Sequence, residues 1–369
     1  MFGKLKYYKD KHLAILWIRG NSFINYSRPN MFYVIGIRGS GKSNMLEAIG
    51  ENYLENDCPI LDLCDAQDGE GLGWLKKYRD DVLILHDKFT EIESPYSHKY
   101  FEDLSLRDFR DYKIVVNSTL LYCDFESYLD AVNTILLKLH HSRRHWKKPI
   151  YVLIREAQNI VYARLRKVKD QTQAKAEATY LLRESRHVGM ATGIDTLRLT
   201  SVDIEVRIMA DFLVIKNMGM FSLPKDIYFL YSYIEPYFFR VMRPQDYIVL
   251  SKEGAIGLGE VGLVSFHKEE EENILRELNI SIHKKIDPFR KIDSRMRKKL
   301  LIHKKLLDYI YQKGFPNKRF LANATDTSYP TTLKHIGYHN TCVKDLGYCE
   351  LCKKIDHPLK SHILKAEKY

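Results

Sequence analysis

The chain has 369 residues, of which 45% are hydrophobic and 28% are charged. This balance is typical of a folded globular protein and excludes a disordered one. The length exceeds what one hydrophobic core usually supports, so we expect two domains.

The net charge of +11 is unevenly distributed along the chain. Residues 281–369 contain 20 Lys and Arg against 8 Asp and Glu, a balance of +12. Residues 1–280 contain 38 against 39, a balance of −1. The basic excess therefore lies in the last quarter of the chain, which favours a polyanion-binding tail on a neutral domain. A basic surface that serves only solubility is the alternative.

Membrane and secretion signals are absent from the sequence pattern. No apolar run approaches the roughly 20 residues that cross a bilayer, and the first 20 residues lack a cleavage-type small-residue pattern. Three of the six cysteines are scattered, and the other three lie close together near the C-terminus. This usage indicates a reducing compartment and one metal site rather than a disulfide framework. We therefore predict a cytoplasmic protein, in the host cytoplasm if it is viral.

Short apolar runs alternate with helical patterns from residue 30 to about 265. The alternation predicts parallel strands with crossover helices, an α/β domain of three layers. The predicted strands are 31–37, 59–63, 81–86, 113–119, 150–154, 190–194 and 211–216. The acidic run 267–279 is predicted to be a surface helix.

The predicted domain organisation has three parts. Residues 1–280 form the α/β domain, with a short N-terminal extension over 1–29. Residues 281–299 form a basic linker, and residues 300–369 form a small helical tail.

A phosphate-binding loop lies between the first predicted strand of this domain and a helix. Residues 36–43, GIRGSGKS, match G-x-x-x-x-G-K-[ST] without a mismatch. Glycines allow backbone N–H groups to surround phosphates, and the helix N-terminus adds its dipole. Lys42 is expected to reach the β- and γ-phosphates of ATP, and Ser43 to bind Mg²⁺. The predicted nucleotide-binding residues are Gly36, Gly39, Ser40, Gly41, Lys42, Ser43 and Asn44.

This loop, the strand and turn "IYVLIREAQNIV", and the later segment 181–216 together resemble the FtsK–HerA superfamily of ring-forming, DNA-pumping P-loop ATPases. The resemblance covers roughly residues 30–265. It implies a RecA-like, mostly parallel sheet, with Glu156 as the catalytic glutamate. It also implies that Arg186 is the arginine that enters a neighbour's active site, with Arg183 as second choice. Such an arginine, called an arginine finger, acts across a subunit boundary. The resemblance therefore implies a homo-oligomeric ring, most often a hexamer.

Two residues depart from the family pattern. Arg155 stands where the Walker B aspartate normally supports Mg²⁺, and Asp195-Thr196 stands where a glutamine is usual. In this fold class the strand after Walker B lies between the Walker A and Walker B strands, so Arg155 and Asp195 should end neighbouring strands. We predict that Asp195 either supports the metal shell or neutralises Arg155, and we include it among the catalytic residues. An outward-pointing Arg155 with a slow or inactive site is the alternative.

Two basic segments are candidates for sequence-blind contacts with double-stranded DNA. The first follows the Walker B strand, and a solvated helix face is its alternative. The second is the third helix of the tail, where a helix-turn-helix pattern predicts groove contacts and where protein binding is the alternative. The predicted DNA-binding residues are Arg164, Arg166, Lys167, Lys169, Tyr329, Thr331, Thr332 and Lys334.

The tail also contains a zinc-like spacing. His339-x₂-Cys342 and Cys349-x₂-Cys352 offer four ligands in two pairs, and closed four-ligand sites are structural. His357 and His335 are substitutes for His339. Reduced cysteines without metal are the alternative.

These features predict an ATP-driven DNA translocase or genome-packaging motor of a virus or mobile element. ATP, Mg²⁺ and a structural Zn²⁺ are its expected cofactors, and a capsid, portal or nuclease partner is left open. One alternative is a nucleotide-gated DNA-binding regulator with little or no hydrolysis. Another is a terminase-type packaging enzyme, for which the tail lacks a two-metal acidic cluster.

Overall fold

The computed structural model describes residues 7–9, 14–17, 20–65, 68–141, 148–161, 171–269, 272–284, 294–314, 317–354 and 357–364. Internal contacts divide the chain into two compact units, Met1–Lys285 and Ile286–Tyr369. Within the described ranges, no helix combines the length and the apolar character needed to cross a membrane.

The strands are short, as is usual in α/β proteins. In chain order they are Tyr7–Lys9 (β1), Ala14–Trp17 (β2), Gly20–Phe23 (β3), Met31–Ile35 (β4), Ile60–Cys64 (β5), Val82–His86 (β6), Thr90–Glu93 (β7), His98–Tyr100 (β8), Ile114–Val116 (β9), Ile150–Ile154 (β10), Met190–Thr196 (β11), Phe212–Ile215 (β12), Asp246–Ser251 (β13), Ile256–Glu260 (β14) and Ser281–Lys284 (β15).

The α-helices differ widely in length. They are Lys42–Glu55 (α1), Leu75–Tyr78 (α2), Asp108–Asp111 (α3), Phe125–His141 (α4), Gln171–Val188 (α5), Ile204–Met209 (α6), Phe238–Val241 (α7), Ile274–Glu277 (α8), Ser294–Lys313 (α9), Lys318–Ala324 (α10), Tyr329–Leu346 (α11) and Glu350–Lys354 (α12).

Eleven of the described strands form one sheet in the order β1-β14-β13-β12-β4-β11-β10-β5-β9-β6-β8. The pairs from β12 through β4 to β8 are parallel, whereas β12–β13 and β13–β14 are antiparallel. The central strands β4, β5 and β10 are buried at every position, because helices cover both faces of a parallel sheet. The first unit is therefore an α/β P-loop fold with a mostly parallel sheet, as predicted.

All seven predicted strands are present in the structure. The sequence could predict them because continuous runs of Val, Ile and Leu are typical of strands buried on both faces. The predicted strand order is also confirmed: β11 lies between β4 and β10, with Ile194 opposite Ile154. Parallel pairing brings the carboxyl ends of these strands to one edge of the sheet, and this edge carries the phosphate loop.

Two predicted segments differ in the structure. The predicted surface helix over 267–279 is wrong, since the described part of that range contains only the four-residue helix α8. The predicted linker begins with β15, which pairs antiparallel with β7. Ile282 of this strand packs against the core, and this apolar contact explains why residues 281–284 are ordered as a strand.

The second unit has its own small core. Helices α9, α10 and α11 correspond to the three helices predicted for the tail, and Leu306, Leu307, Leu321 and Ile336 are buried between them. Asn317 and Ser328 cap α10 and α11 by accepting hydrogen bonds from backbone N–H groups.

Candidate nucleotide site and metal cluster

The phosphate loop connects β4 to α1. Gly41 caps the helix with φ of 79°, and Gly39 has φ of 71°, a left-handed conformation that favours glycine. A Cβ on Gly41 would lie 2.3 Å from the carbonyl oxygen of Pro244, so this position also lacks space for a side chain. The loop thus presents the N-terminus of a 14-residue helix, the arrangement that binds phosphate.

The predicted loop residues hold their positions by local hydrogen bonds. Ser40 is buried, and its N–H donates to the carbonyl of Ile37 at 3.3 Å. The ammonium group of Lys42 donates to the same carbonyl at 3.1 Å. Gly36 lacks room for a side chain, because a Cβ there would lie 2.6 Å from Ser40 Oγ. The residues present therefore fit a nucleoside triphosphate, with Lys42 in the loop that would surround the phosphates.

The side-chain amide of Asn44 makes two hydrogen bonds that stabilise the fold. Its side chain donates to the carbonyl of Gly262 at 3.0 Å and accepts from the N–H of Val264 at 2.8 Å. These bonds tie α1 to the segment that follows β14.

Glu156 and Asp195 meet at the ends of β10 and β11. The N–H of Glu156 donates to Asp195 Oδ1, and Asn159 Nδ2 donates to Glu156 Oε2 at 2.9 Å. Glu156 has φ of 46°, which is unusual for a residue with a side chain. Burial raises the pKa of Asp195, while the charge of Lys42 opposes this shift. Asp195 thus fixes the backbone from which the glutamate carboxylate projects.

Arg155 is 1% exposed and lies inside a cluster of carboxylates. Its Nη1 donates to both oxygens of Asp62 at 2.6 Å, and its Nη2 donates to Glu47 Oε1 at 2.9 Å. The indole of Trp74 donates to Asp62 Oδ2 at 2.8 Å. A buried guanidinium is tolerated only with such partners, and the charge-assisted pair to Asp62 is among the stronger hydrogen bonds.

The predicted pairing of Arg155 with Asp195 is therefore wrong. The partners of Arg155 are Asp62 on β5, the strand on the other side of β10, and Glu47 on α1. Asp62 could have been noticed in the sequence as a candidate ion-pair partner, because it is an acidic residue in the middle of an apolar strand. Its pairing with Arg155 required the order of the strands.

Two further residues complete this cluster. His267 Nδ1 lies 2.6 Å from Glu47 Oε2. Burial opposes protonation of His267, but this hydrogen bond and the charges of Glu47 and Glu70 outweigh it and raise its pKa. Burial, together with the charge of Glu47, raises the pKa of Glu70 to about 7 against the opposing effect of Arg155.

Lys216 lies beside the phosphate loop at the end of β12. It is completely buried, and its ammonium nitrogen has no hydrogen-bond partner among the described residues. Burial lowers its pKa to about 7, and the charge of Asp246 opposes this shift. Sequence analysis missed this residue, because a lysine at a strand end usually lies in solvent.

A cavity of about 1160 Å³ lies beside the loop and is large enough for a nucleotide. Its lining joins the loop to the ends of β10 and β11 and to the segment after β14. The lining includes Lys42, Ser43, Glu70, Glu156, Asp195 and His267.

The predicted finger arginines lie on α5. Arg186 belongs to this helix, and its side chain is outside the described residues. Arg183 donates to Glu205 Oε2 at 2.6 Å in a pair that is more than half exposed on both sides. The predicted DNA-binding residues Arg164, Arg166, Lys167 and Lys169 are also outside the described residues.

The N-terminal turn of α11 contains the predicted groove residues of the tail. Lys334 is exposed, and Tyr329 is 40% exposed. Thr332 is fully buried, and its hydroxyl bonds to Thr327 Oγ1 at 2.8 Å. The prediction that Thr332 faces a DNA groove is therefore wrong, because its buried hydroxyl bonds to Thr327 in the turn between α10 and α11. Thr331 is half-buried and bonds to the Ser328 hydroxyl at 2.7 Å.

A cluster of metal-ligand type lies in the core of the tail. The ligand atoms of His303, His339, Cys349 and Cys352 all lie within 4.8 Å of one another, and all four residues are buried. Cys352 Sγ lies 3.3 Å from both His303 Nε2 and His339 Nδ1. Zinc bond lengths in a tetrahedron imply about 3.6 Å between N and S ligands, so these two N–S distances are close to those of a zinc site.

The predicted ligand set is corrected at one position. Cys342 is only partly buried and packs beside the core, whereas His303 from α9 takes its place in the cluster. His339 Nε2 bonds to the carbonyl of His362 at 2.8 Å, which leaves Nδ1 directed at the cluster. The alternatives His335 and His357 are outside the cluster: His335 Nδ1 lies 3.3 Å from His303 Nδ1, and His357 Nε2 lies 3.1 Å from Asp308.

No known protein-family profile and no curated protein sequence matches this chain. Among solved structures, it is similar to the genome packaging NTPase B204 from Sulfolobus turreted icosahedral virus 2 in complex with AMP. The identity is 16%, the TM-score is 0.39, and the match covers 65% of this chain and 100% of that chain.

Two further similar structures belong to other processes. For the cytoplasmic domain of the Thermomonospora curvata type VII secretion ATPase EccC, the identity is 11% and the TM-score 0.38, over 70% of this chain and 26% of that chain. For the pCW3 conjugation coupling protein TcpA with ATPγS, the identity is 14% and the TM-score 0.36, over 70% of each chain.

Because the TM-scores are below 0.5, the fold assignment itself rests on the strand order and loop geometry described above.

Proposed function

We propose that this chain is an ATP-driven DNA translocase, acting as a homo-oligomeric, most simply hexameric, ring in genome packaging or transfer of a mobile element. The observation that carries the proposal is the juxtaposition of a complete phosphate loop with Glu156 across one cavity. A carboxylate at this place can orient the water that attacks the γ-phosphate.

The hydrolysis site is supported by the arrangement of its parts. Lys42 and Ser43 come from the N-terminus of α1, and Glu156 comes from the end of β10, with β11 between their strands. Ser43 would hold the Mg²⁺ that accompanies ATP, and the ion would supply positive charge against the charge that develops on the phosphates. The chain's own contribution is to fix the backbone of Glu156 through Asp195.

DNA as the partner is supported by the charge distribution. The last quarter of the chain has a balance of +12 and forms a helical unit in which Lys334 is exposed near the start of α11. Contacts between such residues and phosphates are independent of sequence and weaken with salt.

Ring assembly is supported by exposed apolar side chains near α5. Ile204 and Ile208 on α6 are 59% and 70% exposed, and Met220 is 92% exposed. Helix α6 packs against α5, the helix that carries Arg186. Exposed apolar groups of this size favour burial by another surface, and a second copy would bring Arg186 close to such a surface.

Phosphate release tests this function directly. Wild-type protein is expected to release phosphate from ATP, and double-stranded DNA is expected to accelerate the release. Arg186→Ala and Glu156→Gln should each bind ATP and hydrolyse it at least about 10³-fold more slowly. Mixed rings of the two variants should regain activity, because each subunit supplies what its neighbour lacks. ATP binding without DNA-stimulated release in wild-type protein would instead support a nucleotide-gated regulator.

We also propose that His303, His339, Cys349 and Cys352 bind one structural zinc ion. A tail of this size has a small core, and a metal would add folding free energy. Elemental analysis of the full chain should find about one zinc per molecule. His303→Ala should lose the metal, whereas Cys342→Ala, the matched control, should retain it. Zinc loss in Cys342→Ala with retention in His303→Ala would overturn this ligand set.

A further inference from the structure

The strand that normally supplies a carboxylate to Mg²⁺ has none at the expected position. Arg155 occupies this position, and its guanidinium is bound by Asp62 and Glu47 below the cavity. Glu156, the next residue, accepts a hydrogen bond from Asn159. Asp195 is buried and accepts the N–H of Glu156. Arg155 is thus a cation, Glu156 is assigned to the attacking water, and Asp195 holds the backbone of Glu156, so none of the three is a simple replacement for the missing carboxylate.

A different carboxylate reaches the magnesium-binding hydroxyl of the phosphate loop. Ser43 Oγ donates to Glu70 Oε2 at 3.0 Å. Glu70 lines the same cavity, and its side chain is 15% exposed. It follows β5, the strand next to β10, so it approaches the loop from the adjacent carboxyl end of the sheet.

The backbone around Glu70 is held firmly in place. Gly69, with φ of 81°, begins the 3₁₀ helix Glu70–Trp74, and a Cβ on Gly69 would lie 2.3 Å from Leu120 Cδ1. Trp74 ends this helix, stacks on Phe266 and donates to Asp62. The helix that carries Glu70 is thus tied through Trp74 to Asp62, which also binds Arg155.

Arg155 contributes to the position of the Glu70 side chain. Its Nε lies 3.3 Å from Glu70 Oε2, the same oxygen that accepts from Ser43. Asp62 and Glu47 already provide two negative charges to the guanidinium. Glu70 is therefore a third carboxylate at this guanidinium, and it is the one of the three that lines the cavity.

We propose that Glu70 supplies the carboxylate of the magnesium shell that the Walker B strand lacks. The inference rests on the proposed ATPase function. Mg²⁺ binds oxygen ligands and usually takes one or two carboxylates, directly or through water, together with substrate phosphates. The pairing of a carboxylate with the loop serine is the arrangement in which P-loop ATPases hold the ion, and here the carboxylate comes from the 3₁₀ helix after β5 instead of from β10.

The test measures metal-dependent nucleotide binding by the full chain. The affinity for ATPγS is measured with Mg²⁺ and with EDTA, and Mn²⁺ binding to the nucleotide complex is followed by electron paramagnetic resonance. Wild-type protein should bind the nucleotide more tightly with metal. Glu70→Gln should weaken Mn²⁺ binding about 10–100-fold and leave the affinity in EDTA unchanged. Glu70→Asp, which keeps the charge, should recover part of the loss.

Glu253→Gln is the control, because Glu253 is exposed in the hairpin between β13 and β14 and does not line the cavity. It should leave both measurements unchanged. If Glu70→Gln keeps the full metal dependence of nucleotide binding seen in wild-type protein, then Glu70 does not belong to the magnesium shell. This result would leave the ATPase proposal standing. No nucleotide binding by wild-type protein would overturn the ATPase proposal itself. Unchanged EDTA affinity in Glu70→Gln separates lost metal binding from misfolding.

Discussion

Removing the Arg155 guanidinium is expected to destabilise the first unit strongly. Arg155→Met keeps much of the side-chain volume and removes the charge. Asp62 and Glu47, both almost completely buried, would then lose their shared cation. Arg155 makes three hydrogen bonds to these carboxylates at 2.6–2.9 Å, so their desolvation would no longer be compensated.

The expected cost follows from the burial of both partners. Breaking a buried ion pair by removing one partner costs about 3–5 kcal/mol. For a unit of this size, that loss corresponds to a fall in Tm of about 6–12 °C. Burial raises the pKa of Asp62 against the opposing charge of Arg155, so without the guanidinium folding would favour the protonated form of this carboxyl group further. The deficit should therefore shrink as the pH falls from 8 to 5.

Thermal and urea unfolding of wild-type and variant protein measure this effect. Arg183→Met is the matched control, because its ion pair with Glu205 is more than half exposed and should contribute less than about 1 kcal/mol. Arg155→Met/Asp62→Asn should recover part of the lost stability, since one uncompensated charge is removed with the cation. If Arg155→Met costs no more than the control does, then the buried cluster is not held together by the guanidinium.

Three further outcomes are expected. Asp195→Ala should lower kcat for ATP by about 10²-fold with little change in nucleotide affinity, because it releases the backbone of Glu156; full activity would contradict this. Lys216→Met should stabilise the protein at pH 7 by about 2–4 kcal/mol, since burial disfavours the ammonium form. Wild-type stability should rise from pH 7 to pH 10, because folding releases the proton of Lys216 and this release costs less at higher pH, so the difference should shrink, and a constant difference would exclude this cause. Lys334→Glu should weaken DNA binding and reduce its salt dependence, whereas the same change in affinity at all salt concentrations would argue against a phosphate contact.

The sequence by itself determined the central strands, the phosphate loop and the three helices of the tail. These features depend on local information: buried parallel strands require continuous apolar runs, and the loop requires glycines at fixed spacing before a lysine. The strand order also followed, once the motifs indicated the fold class. Glu156 could be chosen because it directly follows an apolar strand.

The tertiary structure alone decided which charges meet. Arg155 pairs with Asp62 and Glu47, which are 93 and 108 residues away in the sequence, and Glu70 bonds to Ser43 across 27 residues. His303 likewise reaches Cys349 and Cys352 from another helix and takes the place predicted for Cys342. Ion pairs and metal ligands act over only a few ångströms and in definite directions, so sequence spacing cannot select among several acidic, histidine or cysteine candidates. The choice is made by how the sheet and helices pack, because packing determines which side chains are buried together and must compensate one another's charge.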